Sequence, residues 1–202
     1  MGNLVSPSPC GGPAHDEPER FGRVIVNPIS GERIVVRQSG AETDGALFSF
    51  DLYLPPGGHV PAGHVHPVQE ERFTIIEGQM RFRLGRQTIV ARPGETVIVP
   101  PGKAHWFGAE GGQAAHAYVE ARPALRMEEF FAENETLSLA GRLGGTRLPR
   151  LSDLARILLE FQREVAVPYM PAFLVRAALT PLAWLGQLRA RVRKMAPQHA
   201  SR

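Results

Sequence analysis

Cysteine is all but absent from the chain. The single Cys10 has no intrachain partner, so a disulfide-stapled framework is excluded and a reducing compartment fits. No secretory leader is expected, because residues 1–20 have no positively charged start followed by an apolar run; the cytoplasm is the expected location. A basic body is lacking too. The formal net charge is +3, but five of the 23 Lys and Arg residues (Arg189, Arg191, Arg193, Lys194 and Arg202) lie beyond Gln187 with no acid among them. The remainder carries 18 basic against 20 acidic residues. With no interleaving of basic and aromatic residues and no helix-turn-helix pattern, nucleic acid is not an expected partner.

Long apolar runs are scarce as well. The stretch from Val165 to Leu188 is mostly apolar but is broken by Pro168, Pro171, Arg176 and Pro181. A span needs about 20 predominantly apolar residues, so no transmembrane segment is expected. Packing of this stretch against the body or a partner subunit is the leading reading. Peripheral contact of the C-terminal helix with an anionic membrane surface is the alternative.

What the chain does contain is turn-forming residues in regular supply. Gly and Pro number 21 and 18 among 202 residues, and they recur between short apolar runs through residues 40–123. That rhythm predicts many short strands joined by tight turns. In the segment from Leu47 to Leu54, Phe48, Phe50, Leu52 and Leu54 fall on one face and Ser49, Asp51 and Tyr53 on the other, the period of two of a half-buried strand. Strands are expected at Val24 to Val26, Arg33 to Arg37, Arg72 to Ile76, Gln79 to Leu84, Gln87 to Ala91, Thr96 to Val99, His105 to Phe107 and Ala115 to Ala121. Arg72 to Ile76 and Gln79 to Leu84 read as a hairpin turning at Glu77 and Gly78.

After Pro123 the texture turns helical, with helices expected at Met127 to Glu133, Leu151 to Val165 and Phe173 to Lys194, the second capped by Ser152. The predicted organisation is a flexible tail over 1–22, a β-barrel over 23–122, a helical extension over 123–195 and a basic tail over 196–202.

The chemistry concentrates in four residues. His64 and His66 are two apart, so on an extended segment both imidazoles leave the same face, where they can meet one metal. Two acids follow. Glu71 shares the face of Phe73 and Ile75, an interior face, whereas Glu70 points away, and Pro67 allows the turn that the odd offset from His66 requires. His105, just after a Pro-Gly turn, is the third imidazole, and only a closed or folded sheet brings it alongside. His59 reads as a solvated loop histidine, and His116, Tyr118 and Glu120 as the exposed face of a late strand.

These residues fall into a known pattern. Gly58, five residues, His64-Val65-His66, four residues, Glu71, six residues and Gly78 resemble the first motif of the cupin superfamily. Gly94, five residues, Pro100, one residue, Gly102, two residues and His105 resemble the second. The chain departs from the second motif at its last position, where Ala109 stands in place of the frequent asparagine. The resemblance covers roughly residues 45–122 and is to the small bacterial single-domain metal-binding cupins of the cupin 2 conserved-barrel type.

The resemblance implies a mainly β fold, a double-stranded β-helix or jelly-roll barrel, here with a C-terminal α-helical extension. It also implies one divalent transition metal on His64, His66, Glu71 and His105, with Glu71 doubling as a catalytic proton acceptor. Three neutral imidazoles and a carboxylate give a divalent ion a net charge of about +1, which suits an anion, and open coordination positions suit Fe, Mn, Ni or Co better than structural Zn. The expected partner is a small anionic or enolisable organic substrate, and the expected assembly a homodimer. Three functions stay open: a dioxygenase-like oxidoreductase in the lead, a non-redox isomerase, cyclase or lyase, and a non-catalytic small-molecule binding module.

Overall fold

A computed structural model describes residues 22–27, 31–140 and 150–195, with side chains described as far as residue 187. The expected tails over 1–22, Gly22 apart, and over 196–202 therefore lie outside the described residues. Among the described residues the architecture is mainly β, with antiparallel sheets and three α-helices, one of them C-terminal. The strands are β1 (Val24–Asn27), β2 (Glu32–Gln38), β3 (Phe48–Leu54), β4 (Glu70–Glu77), β5 (Met80–Leu84), β6 (Gln87–Ala91), β7 (Thr96–Val99), β8 (His105–Ala109) and β9 (Ala115–Arg122). The helices are α1 (Met127–Leu139), α2 (Leu151–Glu160) and α3 (Ala172–Met195).

Two sheets face each other, one of six strands in the order β1-β2-β3-β9-β4-β7 and one of three in the order β6-β5-β8. Alternation sets what lies between them. Phe48, Phe50, Leu52 and Leu54 of β3 meet Met80, Phe82 and Leu84 of β5 within one buried core. Phe73 joins the sheets, its ring 5.2 Å from that of Phe82 and 4.9 Å from that of Phe107. Burying each such side chain contributes about 1.5–3 kcal/mol.

The hairpin expected at Glu77 and Gly78 does not form. β4 pairs with β7 and β9, whereas β5 pairs with β6 and β8, so this turn carries the chain from one sheet to the other. Gly78 is needed there for two reasons: its φ is +71°, and a Cβ would lie 2.1 Å from the Ala114 carbonyl oxygen. The turn signal is real, but a closed barrel gives the following strand different partners.

The polar face of β3 also departs from expectation. Ser49 and Asp51 are buried, because Arg37 from β2 and His116 from β9 close over Asp51, with His116 Nε2 2.9 Å from Asp51 Oδ1. His116 also stacks on Tyr53 at 4.2 Å. His59 is half-buried rather than solvated, its ring 5.6 Å from Trp106 and its backbone bridged to Gly108.

α1 covers part of the inner face of the large sheet. Phe131 of α1 packs on Phe50 at 5.4 Å and on Phe48 at 6.2 Å. A smaller core of Leu137, Ile157 and Phe161, joined by Phe130, ties α2 to α1. α3 packs along α2, where Gly186 admits Ser152; a Cβ on Gly186 would come within 2.6 Å of the serine Cβ.

Two helix expectations are corrected. α2 begins at Leu151, so Ser152 lies inside its first turn and makes no cap hydrogen bond. It ends at Glu160 rather than Val165, because the chain beyond Phe161 leaves the helix to pair with the barrel. The N–H of Ala166 donates to the Val65 carbonyl at 2.8 Å, and the N–H of Val65 to the Ala166 carbonyl at 3.1 Å. No described helix is long and apolar enough to cross a membrane.

Candidate metal centre

The site forms where the two sheets meet at a short extended segment, residues 64–66. His64 is bridged to His105 at the start of β8, each N–H donating to the other's carbonyl at 2.9 Å. The period of two then places His66 on the same side as His64, and β4 presents Glu71 beside Phe73 in the interior. The quartet expected from the sequence comes together: one donor atom from each of His64, His66, Glu71 and His105 lies within 4.8 Å of every other. Glu70 points outward to pair with Arg72 at 2.7 Å, as strand parity requires.

Three backbone carbonyls orient the imidazoles. Nδ1 of His64 donates to Ala62 O at 3.2 Å, Nδ1 of His105 to Lys103 O at 3.2 Å, and Nδ1 of His66 to Glu164 O. A carbonyl only accepts, so each Nδ1 carries its proton and, in the neutral ring, each Nε2 presents a lone pair. Two of those Nε2 atoms, on His66 and His105, approach the single oxygen Glu71 Oε2 at 3.2 and 3.1 Å. Lone pairs at that separation repel unless a proton or a cation lies among them. His66 Nε2 is fully buried and makes no hydrogen bond of good geometry, since its approach to Glu71 is a close contact only. An orphaned buried nitrogen facing a carboxylate fits a metal ligand.

Electrostatics point the same way. Burial disfavours ionised Glu71, but the His66 and His105 imidazoles outweigh it and hold the carboxyl well below the usual carboxylate range. Burial, helped by the neighbouring His105 and His66, pushes His64 down to about 3, keeping it neutral. For His66 burial also opposes charge, and the adjacent Glu71 reverses the balance and raises it. The cluster holds an ionised carboxylate and at least one neutral imidazole, the protonation states that metal ligation needs.

The centre opens onto a largely apolar cavity of about 320 Å³. Barrel residues Phe50, Leu52, Phe73 and Phe107 form part of its wall, and helix residues such as Phe131 and Ile157 form the rest. The helical extension was without a motif in the sequence, yet it walls the cavity and reaches the centre through the Glu164 carbonyl. Glu164 also holds the start of α1, its Oε1 accepting the Arg126 N–H at 3.1 Å. Its carbonyl was invisible to motif reading because any residue offers one.

Residues 50–119 match the family model described as "Cupin domain". The paired antiparallel sheets of the barrel accord with that match. Solved structures similar to the chain include TT1209 from Thermus thermophilus, at 24% identity over 52% of this chain and 92% of that one, with a TM-score of 0.43. A predicted oxalate decarboxylase from Thermotoga maritima is 18% identical over 53% of this chain and 96% of that one, with a TM-score of 0.44. The DMSP lyase DddQ from Ruegeria pomeroyi is 29% identical over 40% of each chain, with a TM-score of 0.36. No curated protein matches the sequence.

Proposed function

We propose that His64, His66, Glu71 and His105 hold one divalent transition metal, and that the protein is a metal-dependent cupin enzyme acting on a small anionic or enolisable organic molecule. The observation that carries this reading is the convergence of three imidazoles and one ionised carboxylate, of which His64, His66 and Glu71 line an apolar cavity. When bound, the ion would supply a Lewis-acidic centre and, for iron, manganese, nickel or cobalt, access to redox chemistry. The chain's own residues do the rest. The three carbonyl-anchored imidazoles fix the position of the centre, and Phe50, Phe73 and Phe107 exclude water from the substrate's apolar body. Glu71, held ionised, is the proton acceptor nearest the reacting end.

The leading reaction class is oxygenation. Elemental analysis of the purified protein beside a His105→Ala variant is the decisive measurement: near-stoichiometric metal in the first and loss in the second is expected. No metal in either after reconstitution would leave a small-molecule binding module. Product formed equally with and without dioxygen, or full activity with zinc, would move the reaction to the isomerase, cyclase or lyase class. The exposed Tyr169, Phe173 and Trp184 of the C-terminal segment form the surface on which the proposed homodimer, or contact with an anionic membrane surface, would rest. Light scattering and vesicle flotation distinguish the two.

A further inference from the structure

α3 has two apolar faces, and its packing on α2 covers one of them. Val175, Leu179, Ala183 and Gly186 recur at helical spacing on the covered face and are buried or half-buried, with Gly186 against Ser152 of α2. On the opposite side of the helix Phe173 is 70% exposed, Leu174 47%, Trp184 59% and Leu185 46%, and the residues between them on that side are alanines and Pro181. A contiguous apolar face in water marks an interaction site, whereas scattered apolar residues need no account. The patch also begins at the cavity. Val165, Ala166, Val167 and Pro168 line the cavity wall, and the next residue, Tyr169, is 85% exposed. Its φ of +61° lies in the left-handed region that bulky side chains rarely adopt, so the chain holds an aromatic ring outward at the cavity rim against its local preference. Charge completes the pattern. Beyond Glu164 the sequence has no Asp or Glu, and α3 carries Arg176, Arg189, Arg191, Arg193 and Lys194, the last four close to its end at Met195.

We propose that this face docks the protein on an anionic lipid surface, with α3 lying along the interface and Tyr169 bringing the rim of the cavity down to the lipid. The helix is not apolar enough to cross a membrane, but an apolar face with aromatic residues beside a basic stretch is what lies in the plane of one. Tyr and Trp favour the headgroup level, and Lys and Arg are drawn to anionic headgroups. A second copy fits this face less well. Pairing α3 with α3 would bring two strongly basic helices together with no acid in either to offset them. The lipid surface supplies the missing negative charge. Of the two occupants named above for this surface, the charge therefore selects the membrane, and the choice does not depend on the metal.

The test floats the full chain with vesicles of phosphatidylcholine, alone or mixed with phosphatidylserine. Binding to the mixed vesicles at low salt is expected to exceed binding to phosphatidylcholine roughly tenfold or more and to be lost in molar salt. Phe173→Glu and Trp184→Glu should each abolish flotation while leaving the melting temperature unchanged, because both side chains are exposed. Lipids brominated on their acyl chains should quench tryptophan emission in the wild type and not in Trp184→Phe. Tyr169→Trp should add to the quenched emission if the rim meets the lipid; no added quenching would overturn the placement of the rim. Absence of flotation at low salt, or equal binding to neutral vesicles, would overturn the docking itself. A dimer in light scattering that Trp184→Glu splits would assign the face to a second copy instead. Failure here leaves the metal centre as it stands, and docking by protein shown to hold no metal after reconstitution would sink the metal reading alone.

Discussion

The barrel and the helical extension contribute to one cavity in different chemical currencies. The barrel supplies side chains: every member of the His64, His66, Glu71, His105 group comes from it, at spacings set by strand geometry. Among the described residues the extension supplies no member of that group. It provides a backbone carbonyl to His66, a two-way backbone bridge to Val65, and the apolar wall formed by Phe131 and Ile157. Ligand side chains must keep their identity, whereas a wall needs only shape and a carbonyl needs only position. One region is therefore dense with readable motif and the other carries none.

The sharpest way to break this division is to delete core volume on each side. Phe82→Ala, inside the barrel at 0% exposure, is expected to cost about 3–5 kcal/mol. In a chain of this size that lowers the melting temperature by roughly 10 °C, with loss of bound metal. Phe161→Ala removes a ring from the small core of Leu137 and Ile157 and from beneath the Arg126 guanidinium, 4.7 Å away. Its effect should stay local, as faster amide exchange across α2 and α3 with barrel protection unchanged. Equal loss of protection in both regions would show that they unfold as one unit.

A smaller effect probes the bridge itself. Ala166→Pro removes the N–H that Val65 O accepts and restricts the preceding Val165, loosening the carbonyl that orients His66. Metal affinity measured by chelator competition should fall about tenfold, the lower range for groups that orient a ligand. Unchanged affinity would mean that the ligand strand holds His66 without help from the extension.

Legibility in the sequence follows the same line. Strand alternation placed Phe48, Phe50, Leu52 and Leu54 inward, and the two spaced motifs identified the quartet that the fold brings together. The pairing of β4 and β5 was not legible, because a Glu-Gly turn looks the same whether the chain folds back or crosses to another sheet. The end of α2 was not legible either: Leu158, Phe161 and Val165 keep a helical rhythm, and only the backbone of Val65 interrupts it. Glu32, which lines the cavity, carried a strand signal of its own. It stands two residues before Ile34 on the inward face, just ahead of the strand expected from Arg33.

The mildest test compares two carboxylates, one buried within the barrel alone and one in the cavity that both regions share. Asp51 is buried, which opposes ionisation, but hydrogen bonds from His116 and Arg37 prevail and lower its pKa. A lowered native value gives stability that is present above the unfolded value of about 3.9 and lost as pH falls through the native one. Asp51→Asn should therefore be less stable than wild type at pH 7, by about 1–2 kcal/mol, and the gap should close in acid. Glu32 shifts the other way. Its raised native value, about 7, against an unfolded value of about 4.3, means that the folded chain holds the extra proton between those limits, so stability falls as pH rises across them. Glu32→Gln, which cannot ionise, should match wild type near pH 4 and exceed it at pH 8 in urea denaturation. If the two variants gave slopes of the same sign, Glu32 would not be facing the low-dielectric interior that the cavity geometry assigns to it.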